Sequence, residues 1–259
     1  MTAPLPMTRG RRVALLLGLP VALALIGYTG LTEVALAGQA SYPVRLAVQV
    51  HGGTVRLSAG EADVRVSQAP GSQLLLTGTA HYSLVRSTVT LHRTPSGVIV
   101  SPRCRFIAGV CGFDLHAAVP EGKRAVISTG SGSVHAENMP DGITLETGSG
   151  DISGGALSGP EVTLKTGSGD IGITGLAGSR VFASAGSGDI TLTFTRVPAR
   201  VHVENGSGNV TVVLPPGNTF YQVNASTDSG NREVTVPTSS ASQHVITVTD
   251  GSGNVSITN

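Results

Sequence analysis

The sequence predicts an all-β chain, a flattened two-sheet parallel β-solenoid with coils of about 19 residues behind one N-terminal transmembrane helix. Three observations carry this. A glycine-rich turn recurs seven times along the second half of the chain. Apolar residues alternate with Thr, Ser or charged ones on both sides of that turn. Finally, 35 of the 259 residues are glycine and only nine are aromatic (Tyr 4, Phe 5, Trp 0), so the core must be thin and made of Val, Ile, Leu and Ala. The glycines lack the three-residue period of collagen, and the apolar share of 40% argues against wholesale disorder.

Residues 1–12 carry Arg9, Arg11 and Arg12 and no acid, and Val13–Leu31 has no charge at all. At roughly 1.5 Å per residue that stretch spans about 28 Å, close to the hydrocarbon thickness of a bilayer. The expected order is a cytoplasmic basic segment (1–12), a transmembrane anchor (13–31), a linker (32–42) and an extracytoplasmic domain (43–259), oriented by the arginines. The competing reading is a secretory signal cleaved after Ala37, because Ala35-Leu36-Ala37 has the small-x-small pattern of a cleavage site. Formal net charge is +1, and the part beyond Ala37 is near neutral. Such a balance speaks against a nucleic-acid partner.

The repeat runs through Thr129-Gly-Ser-Gly-Ser133, Thr147-Gly-Ser-Gly-Asp151, Thr166-Gly-Ser-Gly-Asp170, Ala185-Gly-Ser-Gly-Asp189, Asn205-Gly-Ser-Gly-Asn209, Thr227-Asp-Ser-Gly-Asn231 and Asp250-Gly-Ser-Gly-Asn254. Its first-glycine column is Gly130, Gly148, Gly167, Gly186, Gly206, Asp228 and Gly251, stepping by 18 to 23 residues. That period is too short for helix-pair repeats. After each turn, pairs such as Ile171 and Ile173 or Val210 and Val212 share one face; before it, Val162 and Leu164 or Val201 and Val203 share another. Residues 125–259 form the regular coils, and 43–124, with the same alternation but weaker turns, the degenerate ones. In the sixth copy Asp228 replaces glycine and Arg232 stands where an inward Ile or Val belongs, so a bulge or widened coil is expected there. The last coil, near Val255 to Ile257, is the expected free sheet edge.

Turn chemistry accounts for the motif, since a tight turn needs glycine at a positive φ and Ser, Asp or Asn to bond nearby backbone N–H groups. Asp151, Asp170 and Asp189 occupy one position in three consecutive coils and read as a capping ladder. The same row is a weak calcium candidate, or a carboxylate pair for sugar hydrolysis, which defines the alternative of a calcium-binding or polysaccharide-active surface protein. Ser133, Asn209 and Asn254 at the same position favour capping, because a neutral side chain serves equally. Gly167-Ser-Gly-Asp-Ile-Gly172 matches a dinucleotide fingerprint but is followed by turn and strand residues rather than a helix. The seven histidines share no ladder position, and no cofactor is expected. Cys104 and Cys111 are the only cysteines, and outside the cytoplasm a disulfide is their default state.

Taken together, the basic N-terminus with its single apolar segment, Cys104-x6-Cys111 followed by Val119-Pro-Glu-Gly122, the serial Ser-Gly-Asp turns and Leu214-Pro-Pro-Gly217 resemble the bacterial putative-adhesin family of β-strand repeat proteins, a domain of unknown function. The resemblance covers residues 43–259. It implies a β-solenoid in the cell envelope and supplies no catalytic residue. The expected function is therefore a non-enzymatic, membrane-anchored, extracytoplasmic scaffold with an envelope protein or glycan as partner.

Overall fold

The computed structural model describes residue 28 and residues 38–95, 97–103 and 111–259. The predicted membrane segment 13–31 therefore lies, Tyr28 apart, outside the described residues, and so do the cleavage site at Ala37 and Cys104. Among the described residues no helix is long and apolar enough to cross a membrane.

Among the described residues nineteen strands make one curled sheet. The first seven are β1 (Gln39–Gln49), β2 (Thr54–Ala59), β3 (Ala62–Ala69), β4 (Gln73–Ser83), β5 (Thr88–Thr94), β6 (Gly97–Arg103) and β7 (Cys111–Pro120). The repeat supplies β8 (Arg124–Thr129), β9 (Val134–Met139), β10 (Ile143–Thr147), β11 (Ile152–Ser168), β12 (Ile171–Ser187) and β13 (Ile190–Phe194). It ends with β14 (Arg200–Ser207), β15 (Val210–Val213), β16 (Gln222–Ser229), β17 (Arg232–Val234), β18 (Val245–Ser252) and β19 (Val255–Thr258). Strands that follow the glycine turn stack in one parallel ladder and those that precede it in another. Strands β11 and β12 run 17 residues each and take part in both, carrying the sheet around the corner.

Register follows from the repeat. Ile152, Ile171, Ile190, Val210 and Val255 are successive partners along one ladder. Leu145, Leu164, Ala183, Val203 and Val248 are successive partners along the other. All are at most 1% exposed. A slip of one residue in any coil would turn these chains to solvent, each losing about 1.5–3 kcal/mol for the larger side chains.

Coil order in space departs from coil order in sequence at both ends. Strand β2 lies between β6 and β8, and β3 between β7 and β9, so residues 54–69 stack directly on residues 124–139. At the far end β18 lies between β14 and β16, and β19 between β15 and β17. The expected free edge at Val255 to Ile257 is thus corrected: the chain's last coil is buried in the stack and β16 with β17 form its end. The reason is legible in side chains. Val255 and Ile257 are 1% and 0% exposed and suit a coil covered on both sides, whereas Arg232 and Glu233 are exposed and leave the edge charged. Charges on an edge strand discourage pairing with another sheet. Asp228 belongs to this same terminal coil, whose strand β16 pairs with β18 alone among the described strands.

Residues 43–124 are only partly solenoid. Strands β6 and β7 stack in parallel on β2 and β3, but β4 lies antiparallel on β7, β1 antiparallel on β4, and β5 antiparallel on β6. This antiparallel layer closes the other end of the stack. Cys111 opens β7 and is not a free thiol.

Candidate functional site

The glycine turns form a column whose three kinds of position each have a separate physical cause. The first glycines pack against one another. A Cβ on Gly148 would sit 2.4 Å from the carbonyl oxygen of Gly130, and one on Gly167, Gly186, Gly206 or Gly251 within 2.4–2.5 Å of the carbonyl of the glycine below. Their backbones bond through the same contact, as Ser149 N–H donates to Gly130 O at 2.9 Å and Ser168 N–H to Gly148 O at 3.1 Å. From the third turn onward the second glycine combines this crowding with a left-handed φ, for instance +147° at Gly169 and +130° at Gly188, whereas Gly132 and Gly150 are crowded without it. The residue that opens each turn points inward. Thr129 and Thr147 donate to Gly132 O, Thr166 to Gly150 O and Asn205 Nδ2 to Gly208 O, at 2.8–3.0 Å.

Asp151, Asp170 and Asp189 do come together, as a column of caps. Oδ1 of Asp151 accepts from Asp170 N–H at 2.9 Å, Oδ1 of Asp170 from Asp189 N–H at 2.8 Å, and Oδ1 of Asp189 from Asn209 N–H at 2.7 Å. Asn209 then caps Asn254, and Asn254 caps Asn231, in the spatial rather than the sequence order. At the near end Asp63 Oδ1 caps Ser133 N–H at 2.8 Å across a separation of 70 residues. Among the described residues no group of three or more His, Cys, Asp or Glu is placed to hold a metal ion. Capping by Asp170 predicts a specific contrast. Asp170→Ala leaves the Asp189 N–H without its partner and is expected to cost about 1 kcal/mol, while Asp170→Asn retains the acceptor and stays within about 0.5 kcal/mol of the parent in urea denaturation.

Asp63 also borders a groove of about 630 Å³ where the antiparallel layer meets the regular coils. Asp63, Arg65, Thr79, Asp114, His116 and His135 line it. Register sets the row: Thr77 partners His116, His116 partners Arg65, Arg65 partners His135, and His135 partners Ser153. Gly78 lets β4 approach, since a Cβ there would lie 2.0 Å from Asp114 O. The rings are held in place. His81 Nε2 lies 3.1 Å from Asp114 Oδ2, His116 Nε2 3.2 Å from Ser67 Oγ, and His135 Nδ1 3.0 Å from Ser153 Oγ. Glu137 Oε1 lies 3.2 Å from the other nitrogen of His135. Ser153, His135 and Glu137 thus form a line resembling a nucleophile, base and orienting acid. Nearby backbone N–H groups, however, are engaged in the ladder, Ile152 to Asp170 O and Val134 to Asp151 O, each at 2.8 Å. They do not converge on an oxyanion.

Sequence reasoning missed this groove because its residues come from strands that are neighbours only in space. One signal was present: Ala59-Gly-Glu-Ala-Asp63-Val-Arg-Val66 is a worn copy of the turn, with Ala59 in register with Thr129 and Asp63 at the cap.

A family model, Toastrack DUF4097, matches residues 114–258, from within β7 through the regular coils. The chain belongs to the Toastrack DUF4097 family. No relative is found among curated proteins. Among solved structures, this Toastrack chain is similar to one described as a putative adhesin from Parabacteroides distasonis ATCC 8503, at 11% identity over 84% of this chain and 96% of the other, TM-score 0.49. It is also similar to a putative lipid binding protein from the same organism, at 12% identity over 82% and 96%, TM-score 0.47. A putative adhesin from Parabacteroides merdae ATCC 43184 matches at 13% identity over 85% and 95%, TM-score 0.41.

Proposed function

We propose that the chain is a non-enzymatic, membrane-anchored binding module of the cell envelope, held by residues 13–31 with the arginines 9, 11 and 12 in the cytoplasm and the solenoid outside. Cys104 and Cys111 pair there as a disulfide. The observation that supports this reading is the division of labour among polar residues. Turn residues are consumed by capping and stacking, while the groove around Asp63, Asp114, His116 and His135 presents pre-positioned donors and acceptors of both signs. A neutral glycan or a peptide strand, rich in hydroxyl or amide groups, suits that surface. The polar line of Ser153, His135 and Glu137 serves here as a recognition row rather than a catalytic one.

The test uses the fragment from residue 38, which carries the buried core of the described residues from Val44 to Ile257. Binding to purified envelope glycan should be saturable and fall at least five-fold in Asp114→Ala/His116→Ala, with melting temperature unchanged. Release of sugar reducing ends that disappears in Ser153→Ala, or in the Asp151/Asp170/Asp189→Asn triple variant, would replace this reading with the polysaccharide-active one.

A further inference from the structure

A second groove, of about 510 Å³, lies at the corner of the coils opposite the glycine turns. Pro140, Pro160, Ser179, Arg196, Val197 and His244 are among its lining residues, and the lining contains no carboxylate. Arg180 and Arg200 follow Ser179 and Ala199 at its rim and are register partners on adjacent coils, placing them about 4.8 Å apart at the backbone. All three arginines are exposed, and none is in an ion pair among the described residues.

The acids that could neutralise them are turned elsewhere. Glu161, the partner of Arg180 on the next coil, pairs with Arg124 at 3.1 Å. Asp141 accepts from Gln68 Nε2 at 2.6 Å and from the Gly122 N–H at 2.8 Å. Glu204 is held by His202 at 2.9 Å. In a chain of net charge +1, three unpaired guanidinium groups beside one groove are a local excess of charge that nothing in the fold requires. Guanidinium binds carboxylate in a bidentate fork, and two of them in line along the stack suit an anion that repeats along a polymer. Val197, 39% exposed, and the two prolines offer a flat apolar floor, and the Ser158 and Ser179 hydroxyls supply donors beside it.

We infer that this corner binds an anionic polysaccharide, with Arg180, Arg196 and Arg200 holding its carboxylates while the sugar rings rest on Val197, Pro140 and Pro160. The site is separate from the groove at Asp114 and does not depend on it. Polygalacturonate is the probe, with dextran as the uncharged control and phosphatidylglycerol vesicles as the lipid arm. At physiological salt the residue-38 fragment should bind polygalacturonate, not dextran, and Arg180→Gln/Arg196→Gln/Arg200→Gln should weaken binding at least ten-fold. Arg45→Gln/Arg56→Gln/Arg93→Gln, with the same change in net charge, should alter it less than two-fold. Equal losses in the two triple variants, absence of binding, or tighter binding to the vesicles than to polygalacturonate would each overturn the inference. The Asp114→Ala/His116→Ala variant should retain polygalacturonate binding, so failure of one site is distinguishable from failure of the other.

Discussion

Replacing Gly169 with alanine is expected to destabilise the domain by about 3 kcal/mol or more, read as a lower urea midpoint at unchanged slope. Two costs combine. The residue has φ of +147°, a conformation that a Cβ disfavours. The added atom would also lie 2.2 Å from Gly150 O and 2.6 Å from Gly150 C, so it meets backbone rather than a movable side chain. Relief would require the two turns to part, and Gly169 N–H bonds Ser187 O at 2.9 Å in the next coil, so the opening would spread along the column. Gly172, three residues on, is the control. It also belongs to the dinucleotide-like string, but a Cβ there meets nothing within 4 Å, and Gly172→Ala should change stability by less than about 0.5 kcal/mol. A loss below 1 kcal/mol for Gly169→Ala would show that the turns are not held in contact as described.

Asp250→Asn is expected to stabilise the domain by about 1–3 kcal/mol, a gain that few buried substitutions produce. Asp250 opens the last glycine turn and is 1% exposed. Its Oδ1 has no hydrogen-bond partner among the described residues, and its Oδ2 lies 3.3 Å from the Thr227 hydroxyl. That hydroxyl carries one proton and also lies 3.0 Å from Gly253 O, so it cannot donate fully to both acceptors. The neighbouring coil shows what a neutral side chain does at this position: Asn205 Nδ2 donates to Gly208 O, three residues ahead, at 3.0 Å. Asparagine at 250 can make the equivalent bond to Gly253 O. The other six copies carry Thr, Ala or Asn there. A melting temperature that falls in Asp250→Asn would mean that the carboxylate is used by the fold.

The two variants probe different parts of what was legible beforehand. The alternation around each turn predicted which side chains enter the core, and residues such as Ile171, Ile173, Val201 and Val203 are all at most 1% exposed. Capping by the Asp and Asn of the turn was legible too, because the same place accepts Ser, Asp or Asn. Less visible was why the first glycine is required. Positive φ explains Gly169 and Gly188, whereas Gly148 and Gly167 are demanded by the carbonyl of the coil below, a contact that exists only once coils stack. Both grooves were hidden for the same reason, since Asp63 and Ser133, or Ser179 and His244, are distant in sequence.

By itself, the amino-acid sequence determined the repeating unit: two short apolar strands, a glycine turn and a capping side chain, all set by interactions within about 19 residues or between equivalent positions. Only the tertiary structure decided which coil lies next to which. Residues 54–69 are inserted ahead of the regular coils and residues 245–258 inside the far end. Equivalent coils offer nearly the same hydrogen-bonding edge, so local pattern cannot rank their order. The observed order leaves the exposed Arg232 and Glu233 in water at one end and puts the antiparallel layer of β1, β4 and β5 at the other, with Asp250 the one carboxylate it buries among the described residues of the last coil.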